Sequence, residues 1–171
     1  MNWNLAVPAA VVGAATATIG LILLELYFKP AFARKRVATI LLAEVRLAAR
    51  GLTAVRDHIA KHPESVPEDV WASVLGWEAV RAEIHYLPGP VLDSLLLRYA
   101  QFREISALVE RYSRKVDRVY GSPLEAIQKR ALLEELKYDA GLFSESIPKI
   151  LVGCELTIDK LLRVLSDPYA E

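Results

Sequence analysis

From position 5 to position 24 the chain reads LAVPAAVVGAATATIGLILL, twenty residues without one ionisable side chain. As an α-helix, at about 1.5 Å per residue, such a run is roughly 30 Å long, the hydrocarbon thickness of a bilayer. Lipid cannot satisfy an open backbone, so in that setting a helix is the only conformation available. A helix buried in a protein core would show a polar face, and here only Thr16 and Thr18 interrupt the apolar surface. Trp3 stands at one end, and Tyr27 and Phe28 at the other, the interfacial positions that amphipathic rings prefer. Glu25 falls at the inner edge, one helical turn from Lys29.

A cleaved signal peptide is the competing reading, since Ala31-Phe32-Ala33 resembles an A-x-A processing site. The leading residues MNWN carry no basic side chain, however, and the apolar run exceeds the roughly 7–15 residues of a signal h-region. The sequence therefore predicts a retained single span, with residues 1–30 as a transmembrane anchor. Lys29, Arg34, Lys35 and Arg36 follow it closely, whereas no Lys or Arg precedes it. The positive-inside rule then places the N-terminus outside and residues 31–171 in the cytoplasm, at the inner membrane if the source is bacterial.

The charge distribution agrees with this layout. Formal net charge is zero, but residues 29–61 hold eight Lys or Arg against Glu44 and Asp57, while residues 62–171 hold thirteen basic and eighteen acidic residues. A basic segment beside an apolar run reads as membrane-proximal, and a mildly acidic remainder as a solvated surface. Nucleic-acid binding would call for a basic face or interleaved aromatics on the folded domain, so no nucleic-acid partner is expected. The single cysteine, Cys154, excludes an intrachain disulfide.

Beyond residue 30 the apolar residues keep helical rhythm. Val37, Leu41, Val45, Ala48, Leu52, Val55 and Ile59 are spaced by threes and fours, which describes one face of a helix ended by His62-Pro63. Residues 67–86 form a weaker helical segment or two short ones, with Val70, Val74, Trp77, Ile84 and Leu87 available for burial. Pro88-Gly89-Pro90 breaks the chain. A long helix to about residue 119 then carries Leu92, Leu95, Tyr99, Phe102, Ile105, Val109, Tyr112 and Val116 on one side. Ser122, Pro123 and Glu125 read as a capping box at the start of the last helix. Its stripe of Leu133, Leu136, Ala140, Phe143, Ile147, Ile150, Cys154, Ile158, Leu161 and Leu165 stays in phase across Pro148, which favours a kink there over a reversal. Pro30 is expected to kink or interrupt the first helix. No segment alternates with period two, so the fold class is all-α. The single N-terminal span is followed by an antiparallel bundle of three long helices and one shorter segment.

None of the chemistry-bearing residues forms a recognisable site. His58 and His62 share a helix face, but zinc takes three or four ligands and no third is implied, so no metal is expected. Cys154 lies on an apolar stripe, where a free cysteine packs as a small hydrophobe. Glu78, Arg81, Glu83 and His85 read as a solvated face with local ion pairs. Phosphate-cradling glycine loops, H-E-x-x-H and G-x-S-x-G are all absent, so the sequence predicts neither catalytic residues nor a cofactor. Within the span, Ala9, Gly13 and Ala17 recur every fourth residue, a stripe that lets helices approach closely. Trp3, Tyr27, Lys29, Arg34, Lys35 and Arg36 are the membrane-interface candidates. The expected function is a non-enzymatic, membrane-tethered scaffold, adaptor or accessory subunit. Its partners would be the bilayer and another membrane protein or a second copy, held through span or bundle. The alternative is a sensor or effector whose bundle binds a small ligand oriented by His85, Tyr86, Tyr99 and Tyr112.

Overall fold

The computed structural model describes residues 18–67, 75–121, 123 and 125–167, the side chains of Tyr27 and Leu75 excepted. All regular structure among these residues is helical. Helix α1 spans Lys29–Lys61, the short α2 Leu75–Val80, α3 Gly89–Gly121 and α4 Ala126–Ser166, with one turn of 3₁₀ helix at Ile84–Tyr86. Of the two expectations for residues 67–86, one weak helical segment or two short ones, the described residues show the second, as α2 and this turn.

Most of the apolar run, residues 5–17 with Ala9, Gly13 and Ala17, lies outside the described residues, as does Trp3. Among the described residues no helix is long and apolar enough to cross a membrane. Residues 18–23 are helical and pass through a π turn, Leu24–Phe28, directly into α1. Of the kink or interruption expected at Pro30, the interruption does not occur. A proline has no N–H to give the carbonyl one turn earlier and its ring crowds that carbonyl. The widened turn just before it, in which the Lys29 N–H reaches back five residues to the Leu24 carbonyl, absorbs the mismatch.

The start of α4 also differs from expectation. Ser122 lies outside the described residues, Pro123 precedes the helix, and Glu125 is the N-cap, with extended backbone and no side-chain cap bond. A helix beginning at Pro123 would leave a single residue after Gly121 to reverse the chain, below the usual minimum for a helix–helix connection. The Glu125 carbonyl instead accepts the Lys129 N–H at 2.9 Å and opens the helix three residues later. At Pro148 the α4 helix runs on unbroken, as the in-phase stripe implies.

Long-range contacts give the directions. The Arg34 Nε–H donates to the Tyr86 carbonyl at 2.8 Å and the Gly76 N–H to Glu44 Oε1 at 3.0 Å, so the segment holding α2 descends along the rising α1. Tyr99 meets Glu44, and the Tyr112 hydroxyl donates to the Pro63 carbonyl at 2.7 Å, so α3 rises again. Lys160 bonds Ser94 and Lys115 bonds Asp139, so α4 descends. Successive elements alternate up and down, and α4 packs against both α1 and α3.

The stripes converge on one core. All seven α1 positions are buried, as are Leu95, Phe102, Ile105, Val109, Tyr112 and Val116 of α3 and Leu136, Phe143, Ile147, Ile150, Cys154 and Leu161 of α4. Tyr112 and Phe143 meet edge-to-face with ring centroids 5.6 Å apart, a geometry favoured by the ring quadrupoles. Val70 and Val74 lie outside the described residues.

Candidate functional site

The basic cluster after the apolar run does more than face outward. Arg34 holds the 3₁₀ turn through the Tyr86 carbonyl, and Arg36 is ion-paired with Glu83, so two of the four cations clamp the returning chain to the base of α1. Lys29 pairs with Glu25 at 3.2 Å, both side chains exposed. Lys35 is exposed, and its carbonyl accepts the Thr39 hydroxyl. Of these groups Lys29, Glu25, Arg36 and Glu83, together with Phe28, Phe32 and Tyr86, border a cleft of about 650 Å³ where the apolar helix meets the bundle.

Above this base, a buried carboxylate locks the crossover. Glu44 lies on the inner side of α1, where it receives the Gly76 N–H at the start of α2 and the Tyr99 hydroxyl. Trp77 stacks on Tyr99 with centroids 4.6 Å apart. Burial, and next the bond to Glu44, push the Tyr99 phenol far above its ordinary pKa, so it stays a donor. Gly76 lets Glu44 approach closely here, because a Cβ would come within 2.9 Å of Glu44 Oε2 and the carboxylate would have to shift.

Two further polar groups sit inside the α3–α4 seam. Asp139 is 2% exposed and accepts Lys115 at 2.9 Å and Arg111 at 3.3 Å. Lys115 also reaches Glu135 at 2.9 Å. Desolvation opposes its charge, but the hydrogen bonds and charges of Asp139 and Glu135 outweigh it and raise the ammonium pKa. Arg98 is buried with its Nε unpartnered, its guanidinium lying where a side chain at position 153 would be. Next to it, Cys154 is fully buried; burial raises its thiol pKa to about 11, against a smaller opposing effect of Arg98. A protonated, enclosed thiol is a poor nucleophile.

The remaining sequence candidates do not converge. His58 Nε2 bonds Ser65 Oγ at 2.9 Å and His62 contacts Glu64 at 3.5 Å; no group of three potential metal ligands occurs among the described residues. Glu83 turns to Arg36, while Glu78, Arg81 and His85 are exposed. The proposed ligand-orienting groups are dispersed: Tyr99 serves Glu44, Tyr112 serves Pro63, and His85 and Tyr86 stack on each other at 4.1 Å. Tyr99 and Tyr112, thirteen residues apart on one helix, are separated by about 20 Å.

The buried Glu44, Arg98, Asp139 and Thr157 are absent from the core stripes expected from sequence, which are built of apolar and aromatic residues. Their spacing was nevertheless visible. Arg98 falls between Leu95 and Phe102, and Asp139 between Leu136 and Phe143, at the three-four intervals of an inward face.

No family model matches the chain, and comparisons with curated proteins and with solved structures find no match either.

Proposed function

We propose that the chain is a membrane-anchored, non-enzymatic interaction protein, a scaffold, adaptor or accessory subunit of a membrane assembly. The observation that carries this reading is the helical stretch ahead of α1. Ile19, Leu21, Ile22, Leu23, Leu24 and Leu26 are all exposed, and they point in every direction around the helix axis. A helix apolar all round is stable only in an apolar surrounding. The charge-free run to which it belongs has twenty residues, enough in helical form to span a bilayer. The adjacent cations favour an outside N-terminus and a cytoplasmic bundle. The buried carboxylates Glu44 and Asp139 are engaged in holding elements of that bundle together, which suits a presenting body for a partner.

The full chain should pellet with membranes and resist alkaline carbonate extraction, whereas residues 31–171 should stay in the supernatant. A reporter fused after Glu171 should be active only in the cytoplasm; periplasmic activity or glycosylation of that fusion contradicts the orientation. Gly13→Leu, but not Val12→Leu, should abolish crosslinking of the span to its neighbour, because leucine keeps insertion but holds the backbones apart. Equal crosslinking by both variants would leave partner binding to the bundle.

A further inference from the structure

The cleft at the base of α1 has a built-in chemical preference, and its interpretation rests on the membrane reading above. One wall is apolar, formed by Leu24, Phe28 and Phe32, all exposed. Polar groups, Lys29, Arg36 and Glu83, complete the lining beside it. The cleft therefore lies where a bilayer passes from acyl chain to headgroup if the apolar run spans it.

Its charges are balanced. Lys29 is matched by Glu25 and Arg36 by Glu83, so an anionic headgroup entering it would gain two cations but face two carboxylates. The open valence is an acceptor: Glu83 gives Oε1 to Arg36, while its Oε2 is buried without a donor. A carboxylate oxygen withdrawn from water and left unpaired is costly. Glu83 lines the cleft, so a donor entering it can complete the hydrogen bonding of this carboxylate. The group that completes the site is a hydrogen-bond donor of positive charge, with a phosphate beside it to lie against Lys29 and Arg36.

We infer that this cleft binds the headgroup of a zwitterionic phospholipid carrying a primary ammonium, of the phosphatidylethanolamine class. The ammonium donates to Glu83, the phosphate meets Lys29 and Arg36, and the acyl chains lie along Phe28 and Phe32. A choline headgroup has no N–H to give, and a glycerol headgroup brings net negative charge to a balanced site.

The full chain reconstituted in nanodiscs with equal phosphatidylethanolamine, phosphatidylcholine and phosphatidylglycerol, then released into native mass spectrometry, tests this through the lipids it retains. Wild type should keep the ethanolamine lipid about tenfold over the choline lipid, the discrimination expected from one hydrogen bond to a charged group. Glu83→Gln should erase that preference. Lys29→Gln, which leaves the Arg36–Glu83 pair intact, should lower retention of phospholipids of every headgroup. Equal retention of ethanolamine and choline lipids by wild type, or a preference for the glycerol lipid, overturns the headgroup assignment and leaves the anchor standing. A chain that does not enter the nanodiscs at all overturns the membrane reading instead.

Discussion

Single atoms decide much of this bundle. Glycine inside a helix is destabilising by about 1 kcal/mol relative to alanine, yet Gly153 stands in the middle of α4 because the Arg98 guanidinium occupies the space of its missing side chain. In wild type Gly153→Ala should therefore destabilise, by about 1–3 kcal/mol, since it forces a buried cation out of its seat. In an Arg98→Ala background the same change should stabilise by about 0.5–1 kcal/mol. Urea melts of the four proteins form a double-mutant cycle, and additive values would show that the two residues do not share that space. Tyr112 offers a second residue-scale test. Burial, then the charges around it, raise its phenol to a pKa of about 12. Because the folded value exceeds the unfolded one of about 10, its contribution is whole below pH 10 and fades as pH climbs toward 12. Lys115, also raised, adds in the same sense above its ordinary range. Stability should thus be level near neutrality and fall from about pH 10 upward. Tyr112→Phe should cost about 1 kcal/mol at pH 7, through the bond to the Pro63 carbonyl, and flatten that alkaline fall. An unchanged alkaline profile in this variant would place the titrating group elsewhere.

At the scale of elements, two prolines have opposite settings. Pro30 is accommodated by the widened turn of Leu24–Phe28, so the helix arrives at the bundle without a break. Pro148 has no such turn and stands in the interior of a helix that continues for eighteen residues beyond it. It is on the exposed side, so the core stripe from Phe143 to Ile150 is undisturbed. Pro148→Ala restores a backbone N–H facing the Ser144 carbonyl and removes the ring clash. It should stabilise the bundle by about 1–3 kcal/mol in urea unfolding. Destabilisation by this change would mean that the backbone geometry set by the proline is needed for packing. The crossover between α1 and α3 is held differently, by polar anchors: Arg34 and Arg36 at its end and Glu44 at α2. Its limited apolar surface explains why this segment reads weakly in the sequence.

For the whole molecule, the three long helices supply nearly all of the core, with Val80 and Leu87 of the crossover, and the apolar residues described ahead of α1, Ile19 to Leu26, stay exposed outside it. Residues 31–171 alone should give a predominantly helical circular-dichroism spectrum and cooperative melting. Within them Phe143→Ala and Leu136→Ala, at sites 1% and 4% exposed, should each cost about 2–5 kcal/mol; near-zero changes at both would mean that this face is not the core. Helical rhythm by itself determined the class of fold, the long helices and most of the buried stripe, because the period of 3.6 residues and the need to hide apolar surface are local rules written along the chain. It also determined the charge-free run and its basic border. What the tertiary structure alone decided was which polar groups enter the core and what they hold. Glu44 meets Gly76 and Tyr99, Asp139 meets Lys115, and Glu83 meets Arg36, pairs separated by tens of residues. A buried charge is tolerable only beside a partner in space, and spacing along a chain carries no record of which distant residue that will be.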